Sequence, residues 1–547
     1  MSPADSAVVS DSANIARHLP LMADRQPDRP AIKVPRGTSR DGSINHLVLS
    51  YAEFDREAQS WRAHLAARGV RRGDRVLVMV RQGLPLVASV FALFQLGAVP
   101  VIIDPGMGRA NFLSCVASAR PRVLLGIPVA QLLGHVFRSA FRSVETRIWV
   151  SGRATARAPA GAPGVDAVAT ASDELAAVLF TSGSTGAPKG VCYEHGMFDA
   201  QVRMIREAYA IEPGEIDLPL LPIFALFAPA LGLTSVIPDF DPGRPASLAP
   251  QRIVTAIRQE SITMSFGSPT LWRLIFDYCL ARGITLPSIR RILCAGAPVP
   301  ASLWADAARV IPNGVLHSPY GATEMLPVAS VSSREIEQRP GSGALVGRPL
   351  APNRIRIIRP ETGPIADLAG TTELPIGEVG EIIATGPTTT RVYDARPDAT
   401  AAAKIADGKT VWHRLGDAGR IDSDGRLWFC GRLAERVGTA EGVIDTEPCE
   451  QFFRSLAGVR RCALVGLGPA GRQEPVLVVE PTDFELASAE TAAALRVIAR
   501  AQPLTGAIRK FYFHPSLPVD VRHNAKIHRL ALARWAATAR SWEPPDP

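Results

Sequence analysis

The sequence predicts an α/β protein. A large N-terminal domain of parallel-rich sheets with helical crossovers runs into a β-rich part, and a small α+β domain follows at the C-terminal end. Three observations carry this reading. The chain of 547 residues exceeds what one hydrophobic core usually serves. Strand-length apolar runs alternate with helical segments through its first half, the pattern of a parallel sheet with crossover helices. From Arg354 onward, β-rich segments separated by turns dominate.

The elements can be taken in order. Phe54, Ala58, Trp61 and Leu65 recur at three- and four-residue spacing, so Tyr51 to about Ala67 is a helix. Gly69 ends it, and Arg75–Val80 is the next strand. The uncharged stretch Leu84–Ile103 reads as a buried helix (Val87–Leu96) entering a strand (Val99–Ile103). It and Leu218–Pro238 are long enough to span a bilayer. Prolines break both, at Pro85 and Pro100 in the first and at Pro219, Pro222, Pro229 and Pro238 in the second, so neither is expected to be a membrane span. Strands and helices alternate through Val123–Val150, and Ser151–Ser172, rich in Ala, Gly and Pro, is a loop. Leu175–Phe180 is a buried strand, Ile253–Gln259 a helix, and Thr263–Gly267 and Arg291–Cys294 short strands. Val315–Pro319 leads into Tyr320–Glu324, and turns fall at Glu361–Pro364 and Asp422–Gly425. The domain boundary is placed at Gly431-Arg432, giving domains 1–431 and 432–547. In the second, helices are expected near Pro448–Leu456 and Ala489–Gln502, and strands near Cys462–Gly466 and Val476–Val479.

Composition narrows the function classes. Hydrophobic residues make up 47% and charged residues 20%, which describes a globular protein. The net charge of +8, spread over 60 basic and 52 acidic residues, suits anionic substrates and equally a merely solvated surface. No dense basic tract with interleaved aromatics appears, which argues against nucleic-acid binding. The seven cysteines are scattered without a C-x-x-C pair, so neither a disulfide framework nor a zinc site is expected. A reducing, cytoplasmic setting fits. Met1–Ala13 is polar and acidic, unlike a secretory signal.

The chemistry centres on Leu179–Val191, LFTSGSTGAPKGV. Thr181, Ser182, Ser184 and Thr185 alternate with Gly183 and Gly186, and Lys189 follows. Glycines let a backbone approach an anion, hydroxyls and N–H groups donate to it, and a lysine adds charge. The combination suits polyphosphate, although a plain connecting Ser/Gly loop has the same composition. It is not a P-loop of the GxxxxGK[ST] kind, because Pro188 precedes Lys189 and no hydroxyl follows.

The order of hydroxyl, glycine and lysine resembles the phosphate signature of the adenylate-forming superfamily: acyl-CoA synthetases, adenylation domains and luciferases. Other segments extend the resemblance. Ala295-Gly296-Ala297-Pro298 is similar to the family's adenine-side loop. Tyr320-Gly321-Ala322-Thr323-Glu324 matches the loop whose aromatic stacks on adenine and whose glutamate holds Mg²⁺. Arg414-Leu415-Gly416-Asp417 resembles the T-G-D motif, which implies that Asp417 accepts from the ribose hydroxyls with Arg432 beside it. Arg522–Ile527 resembles the C-terminal lysine motif, so Lys526 would bridge carboxylate and α-phosphate. The resemblance implies ATP and Mg²⁺, a mobile C-terminal domain, and catalytic roles for Lys526, Glu324 and Thr185. The nucleotide set would be Thr181, Ser182, Gly183, Ser184, Thr185, Gly186, Lys189, Gly296, Ala297, Pro298, Tyr320, Gly321, Thr323, Asp417 and Arg432, with Glu324 on the metal.

Three departures bear on the acceptor. Many relatives carry L-P-x-F-H where this chain has Leu221-Pro222-Ile223-Phe224-Ala225. The hinge position, usually Asp or Lys, is Ala434, and Glu441 stands where a glycine borders the pantetheine tunnel. Together they weaken coenzyme A as acceptor. Phe224, Ala225 and Phe227 would line an acyl pocket, in which each buried methylene contributes about 0.8 kcal/mol. "PIFALF" and "YGATEMLPVASVS" make the whole chain most similar to the β-lactone synthetases of bacterial long-chain olefin biosynthesis. That resemblance implies a long-chain 2-alkyl-3-hydroxy acid substrate, an internal hydroxyl as nucleophile, and assembly with other enzymes of that pathway. A long-chain acyl-CoA synthetase or acyl-AMP ligase is the nearest rival, and a non-catalytic nucleotide-binding scaffold the rival of another class. His195 and His317 flank two motifs and are candidates for the base, with a structural role the plainer reading of each.

Overall fold

The computed structural model describes residues 12–159, 167–181, 188–241, 244, 247–519 and 527–545. The chain forms two compact units. The first comprises Met1–Val328, Leu350–Asn353 and Thr385–Lys404; the second comprises Ala329–Pro349, Arg354–Ala384 and Ile405–Pro547.

Two sheets organise the first unit. In one, Thr146–Trp149, Val123–Gly126, Arg75–Met79, Val99–Ile103 and Leu175–Thr181 lie side by side in parallel, and Lys189–Glu194 closes the edge antiparallel. In the other, Val315–Ala322, Arg291–Cys294, Met264–Gly267, Ile216–Pro219, Thr234–Val236 and Pro30–Thr38 run parallel, ending in a hairpin with Ile44–Ser50. The helix Tyr51–Ala67 begins with a capping box between Ser50 and Glu53, which satisfies donors at its first turn. Its apolar stripe (Phe54, Ala58, Trp61, Leu65) is buried in the main core against the helix Leu84–Leu96. That second helix is apolar on all sides because both of its faces are covered.

The α/β expectation therefore holds, with small boundary shifts. The buried helix starts at Leu84, because Gly83 supplies a conformation at φ +142° and Pro85 suits a first turn. No helix among the described residues is long and apolar enough to cross a membrane. Leu218–Pro238 instead breaks at its prolines into a strand end, a 3-10 turn (Pro222–Phe227), a short helix (Ala228–Leu231) and the strand Thr234–Val236.

The second unit holds an antiparallel array ordered Arg354–Ile358, Gly380–Thr385, Thr410–Ile421, Leu427–Arg432, Ala344–Pro349. It also holds a three-stranded sheet of Val459–Leu467, Glu474–Pro481 and Lys510–Phe513 with the helices Ala489–Arg500 and Arg529–Ala536. The helix expected over Pro448–Leu456 is in fact Thr446–Glu450, and turns follow it. Glu450 is held there by Arg454, Arg529 and the backbone N–H of Leu464.

Candidate active site

The phosphate-loop segment joins two antiparallel strands. Phe180 pairs with Gly190 and Thr181 with Lys189, so the chain that leaves at Thr181 returns opposite it. Gly190 permits this closeness, since a Cβ there would meet the Phe180 ring at 2.8 Å. Ser182, Gly183, Ser184, Thr185 and Gly186 lie outside the described residues.

A second segment closes on the same edge. Asp394 N–H donates to the Gly190 carbonyl at 2.7 Å, and Arg75 grips the Asp394 carboxylate in a fork at 2.7 and 2.8 Å. That fixes Tyr393. Its hydroxyl donates to Glu324 Oε1 at 2.6 Å, and Lys189 Nζ lies 4.9 Å from its ring centroid. Thr390 N–H and Oγ1 donate to the Glu324 carbonyl, and Lys404 Nζ donates to Thr390 Oγ1 at 3.1 Å. Burial pushes the Lys404 ammonium down to about 7, against the pull of the Glu324 carboxylate. Glu324 and Lys189 thus meet around Tyr393. Thr390, Tyr393 and Lys404 were not legible in the sequence: the first two lie in the connection before the short Ala-rich helix Pro397–Ala403, and Lys404 opens the strand Lys404–Asp407 after it.

Gly296 follows the strand Arg291–Cys294, and Tyr320 lies near the end of the neighbouring strand Val315–Ala322. The parallel register Leu293↔His317 sends both chains out at one sheet edge, the end where ligands of open α/β sheets bind. Gly296 turns at φ +100°, which a residue with a Cβ rarely adopts, and a half-buried Ala297 and an exposed Pro298 follow it. Gly321 packs so closely that a Cβ would lie 2.6 Å from the Met325 carbonyl. The Tyr193 hydroxyl holds the turn by donating to the Thr323 carbonyl at 2.5 Å. Tyr320, Thr323 and Glu324 are half-buried.

Beneath this edge is an apolar pocket. Phe224, Phe227 and Leu326 line it near the loops, and Tyr209, Leu233 and Met264 line it deeper. The Phe224 ring stacks on Phe266 at 3.6 Å between centroids. Ala225 is buried in the main core. One polar side chain, Asp217, also lines the pocket, and nothing in the sequence marks it out from its apolar strand.

In the second unit, Asp417 and Arg432 face each other across paired strands, with Arg432 Nη1 at 2.7 Å from Asp417 Oδ1. Arg414, adjacent in the motif, is structural: it forks onto Glu381 and donates to the carbonyls of Glu361 and Gly363. Ala434 is exposed in a short 3-10 turn, and Glu441 is exposed at the tip of the hairpin between Val437–Gly438 and Val443–Ile444. Lys526 lies outside the described residues. The feet of its segment are described: Val519 bridges Ile527, and His528 N–H donates to the Pro518 carbonyl. Arg529 then ties this foot to Glu435 at 3.0 Å and to Glu450 at 2.8 and 2.9 Å, both carboxylates being buried.

His195 belongs to the core of the first unit. Burial, with Arg72 and Arg17 nearby, pushes it down to about 4 despite the Glu174 carboxylate, so it is neutral. His317 packs edge-on against Tyr209 at 5.2 Å. As for metal, no cluster of three or more His, Cys, Asp or Glu side chains occurs among the described residues. A half-buried Glu324 offering hard oxygens fits magnesium, which takes one or two carboxylates and fills its shell from phosphate and water.

The AMP-binding enzyme family matches residues 21–394. An olefin beta-lactone synthetase of Stenotrophomonas maltophilia is 45% identical, covering 96% of this chain and 98% of that one. Another, of Xanthomonas campestris, is 44% identical over 98% of this chain and its own full length. The fold is shared with ATP-bound MatB from Rhodopseudomonas palustris, at a TM-score of 0.79 and 21% identity over 96% of this chain and 99% of that one.

Proposed function

The chain belongs to the AMP-binding enzyme family, and we propose that within it the chain is an ATP-dependent β-lactone synthetase acting on a long-chain 2-alkyl-3-hydroxyalkanoic acid. The observation that carries this reading is its full-length likeness to two olefin beta-lactone synthetases. Ala225, Ala434 and Glu441 support it, because none supplies what a thiol half-reaction ordinarily uses.

The reaction runs in two steps. The carboxylate attacks the α-phosphorus of ATP, expelling pyrophosphate and leaving an acyl-adenylate. The substrate's own 3-hydroxyl then attacks the acyl carbon, the C–O bond to AMP breaks, the hydroxyl proton leaves, and a four-membered lactone closes. An internal nucleophile gains from high effective molarity, although ring strain opposes it.

The residues divide this work. Thr181, Ser182, Gly183, Ser184, Thr185, Gly186 and Lys189 would cradle the β- and γ-phosphates. Tyr320 would stack on adenine against Gly296, Ala297 and Pro298. Asp417 would accept from the ribose hydroxyls once Arg432 turns part of its charge toward them. Glu324, steadied by Tyr393, would hold Mg²⁺, which neutralises charge building on the phosphates. Lys526 would bridge carboxylate and α-phosphate as part of a lid, residues 432–547, that moves about the Gly431-Arg432 boundary. Phe224 and Phe227 would hold the alkyl chain. Association with other enzymes of an olefin pathway would keep a greasy lactone from escaping.

The test is a turnover assay with a 2-alkyl-3-hydroxy acid, ATP and magnesium, with and without coenzyme A. AMP release should be unaffected by coenzyme A. A requirement for it, with thioester accumulating, would make the chain an acyl-CoA synthetase.

A further inference from the structure

Asp217 lies in the strand Ile216–Pro219, flanked by apolar residues, with its side chain among those lining the pocket. It is 4% exposed, and its Oδ1 has no hydrogen-bond partner among the described residues. The neighbouring strand places Ser235 directly opposite it, and Ser235 Oγ, also buried, has no such partner either. Burying an unpaired polar atom costs more than a hydrogen bond usually returns, so two at one spot want an explanation.

Register locates this spot. Asp217 is level with Met264, Met264 with Arg291, and Arg291 with Val315 in the parallel sheet. Pro319, at the mouth beside Tyr320, is therefore four residues further along, ~13 Å at ~3.3 Å per residue. Phe266 and Leu293 line the wall between the two levels. A fatty chain entering from the nucleotide side passes these apolar walls and meets Asp217 well beyond its carboxylate. Burial, with the Glu215 carboxylate nearby, pushes the Asp217 carboxyl up to about 8. At neutral pH it is mostly the uncharged acid, able both to donate and to accept.

We propose that Asp217, with Ser235 opposite it on the next strand, forms a polar subsite at the deep end of the acyl pocket. It selects acids whose alkyl chain carries an oxygen function, hydroxyl or carbonyl, well removed from the reacting carboxylate. A plain chain leaves the buried Asp217 Oδ1 unpaired, whereas an oxygenated one completes it. This rests on the pocket being the acyl site of the proposed adenylation.

The experiment compares pyrophosphate release from 2-alkyl-3-hydroxy acids of equal length, plain or bearing one hydroxyl or keto group at successive chain positions. It is run with the full chain and with Asp217→Asn and Asp217→Leu. In the wild type, one position should raise kcat/KM about tenfold over the plain acid, the discrimination of a paired over an unpaired buried group. Asp217→Leu should reverse this preference by improving the plain acid, and Asp217→Asn, which still donates and accepts, should keep part of it. Thermal unfolding of each variant checks that it folds. Equal kcat/KM for plain and oxygenated acids in the wild type overturns the subsite. So does a preference that Asp217→Leu leaves in place. Failure of every acid to release pyrophosphate would instead overturn the adenylation reading, so the two failures are distinct.

Discussion

The role proposed for Lys526 is the one on which the first step would turn. Lys526→Ala should abolish acyl-adenylate formation, read as pyrophosphate release, while ATP binding by calorimetry stays close to wild type. Lys526→Arg should rescue only partly, and wild-type release from the alanine variant would remove the role. Asp217 supplies a stability prediction of definite sign. Its carboxyl is raised from 3.8 to about 8, so the folded chain keeps a proton that the unfolded chain has lost. Its contribution is full below the unfolded value and falls away as pH rises toward the folded one. Asp217→Asn should therefore flatten the decline of unfolding temperature between about pH 5 and pH 8; an unchanged slope would show that the carboxyl titrates normally. At this scale the sequence was legible where residue types form an ordered pattern, as in Tyr320–Glu324. It was silent on Asp217, Tyr393 and Lys404, whose surroundings come from segments distant in the chain.

The described residues that follow the segment of the proposed catalytic lysine are anchored by Arg529. It joins Glu450, which is fully buried, to Glu435, one residue past Ala434. Its pairing with two carboxylates pushes the guanidinium above its ordinary value although burial opposes the charge. Arg529→Met removes the cation paired with Glu435 and leaves Glu450 with Arg454 alone, and breaking such a buried pair costs up to about 3–5 kcal/mol. The second unit's unfolding transition should drop accordingly in calorimetry. Adenylation should slow further than loss of folded protein explains, with Arg529→Lys recovering stability better than rate. Helices and strands themselves were largely readable, because each apolar run matches the layer that buries it: Val99–Ile103 and Arg291–Cys294 are strands as their runs imply. Beyond Glu450 the pattern misled. Phe452 and Phe453 extend a helical spacing, yet the chain turns there because Glu450 is pinned by long-range partners.

For the whole molecule the question is which nucleophile ends the reaction. A 2-alkyl acid without the 3-hydroxyl should still be adenylated and then stall, holding AMP as a mixed anhydride. Mass spectrometry of the quenched enzyme should find it, and rapid AMP turnover without the hydroxyl would count against an internal acceptor. The superfamily was legible from ordered motifs spread over most of the chain. The acceptor was legible only from what Ala225, Ala434 and Glu441 fail to provide, a weaker kind of signal because many side chains could stand there. The most direct test follows oxygen atoms. With both carboxylate oxygens of the 2-alkyl-3-hydroxy acid isotopically labelled, the AMP released should carry one label. The β-lactone should keep the other in its carbonyl, with the unlabelled 3-hydroxyl oxygen closing the ring. Unlabelled AMP, with both labels retained in the product, would mean that ATP activated the hydroxyl instead of the carboxylate, and the account would be wrong.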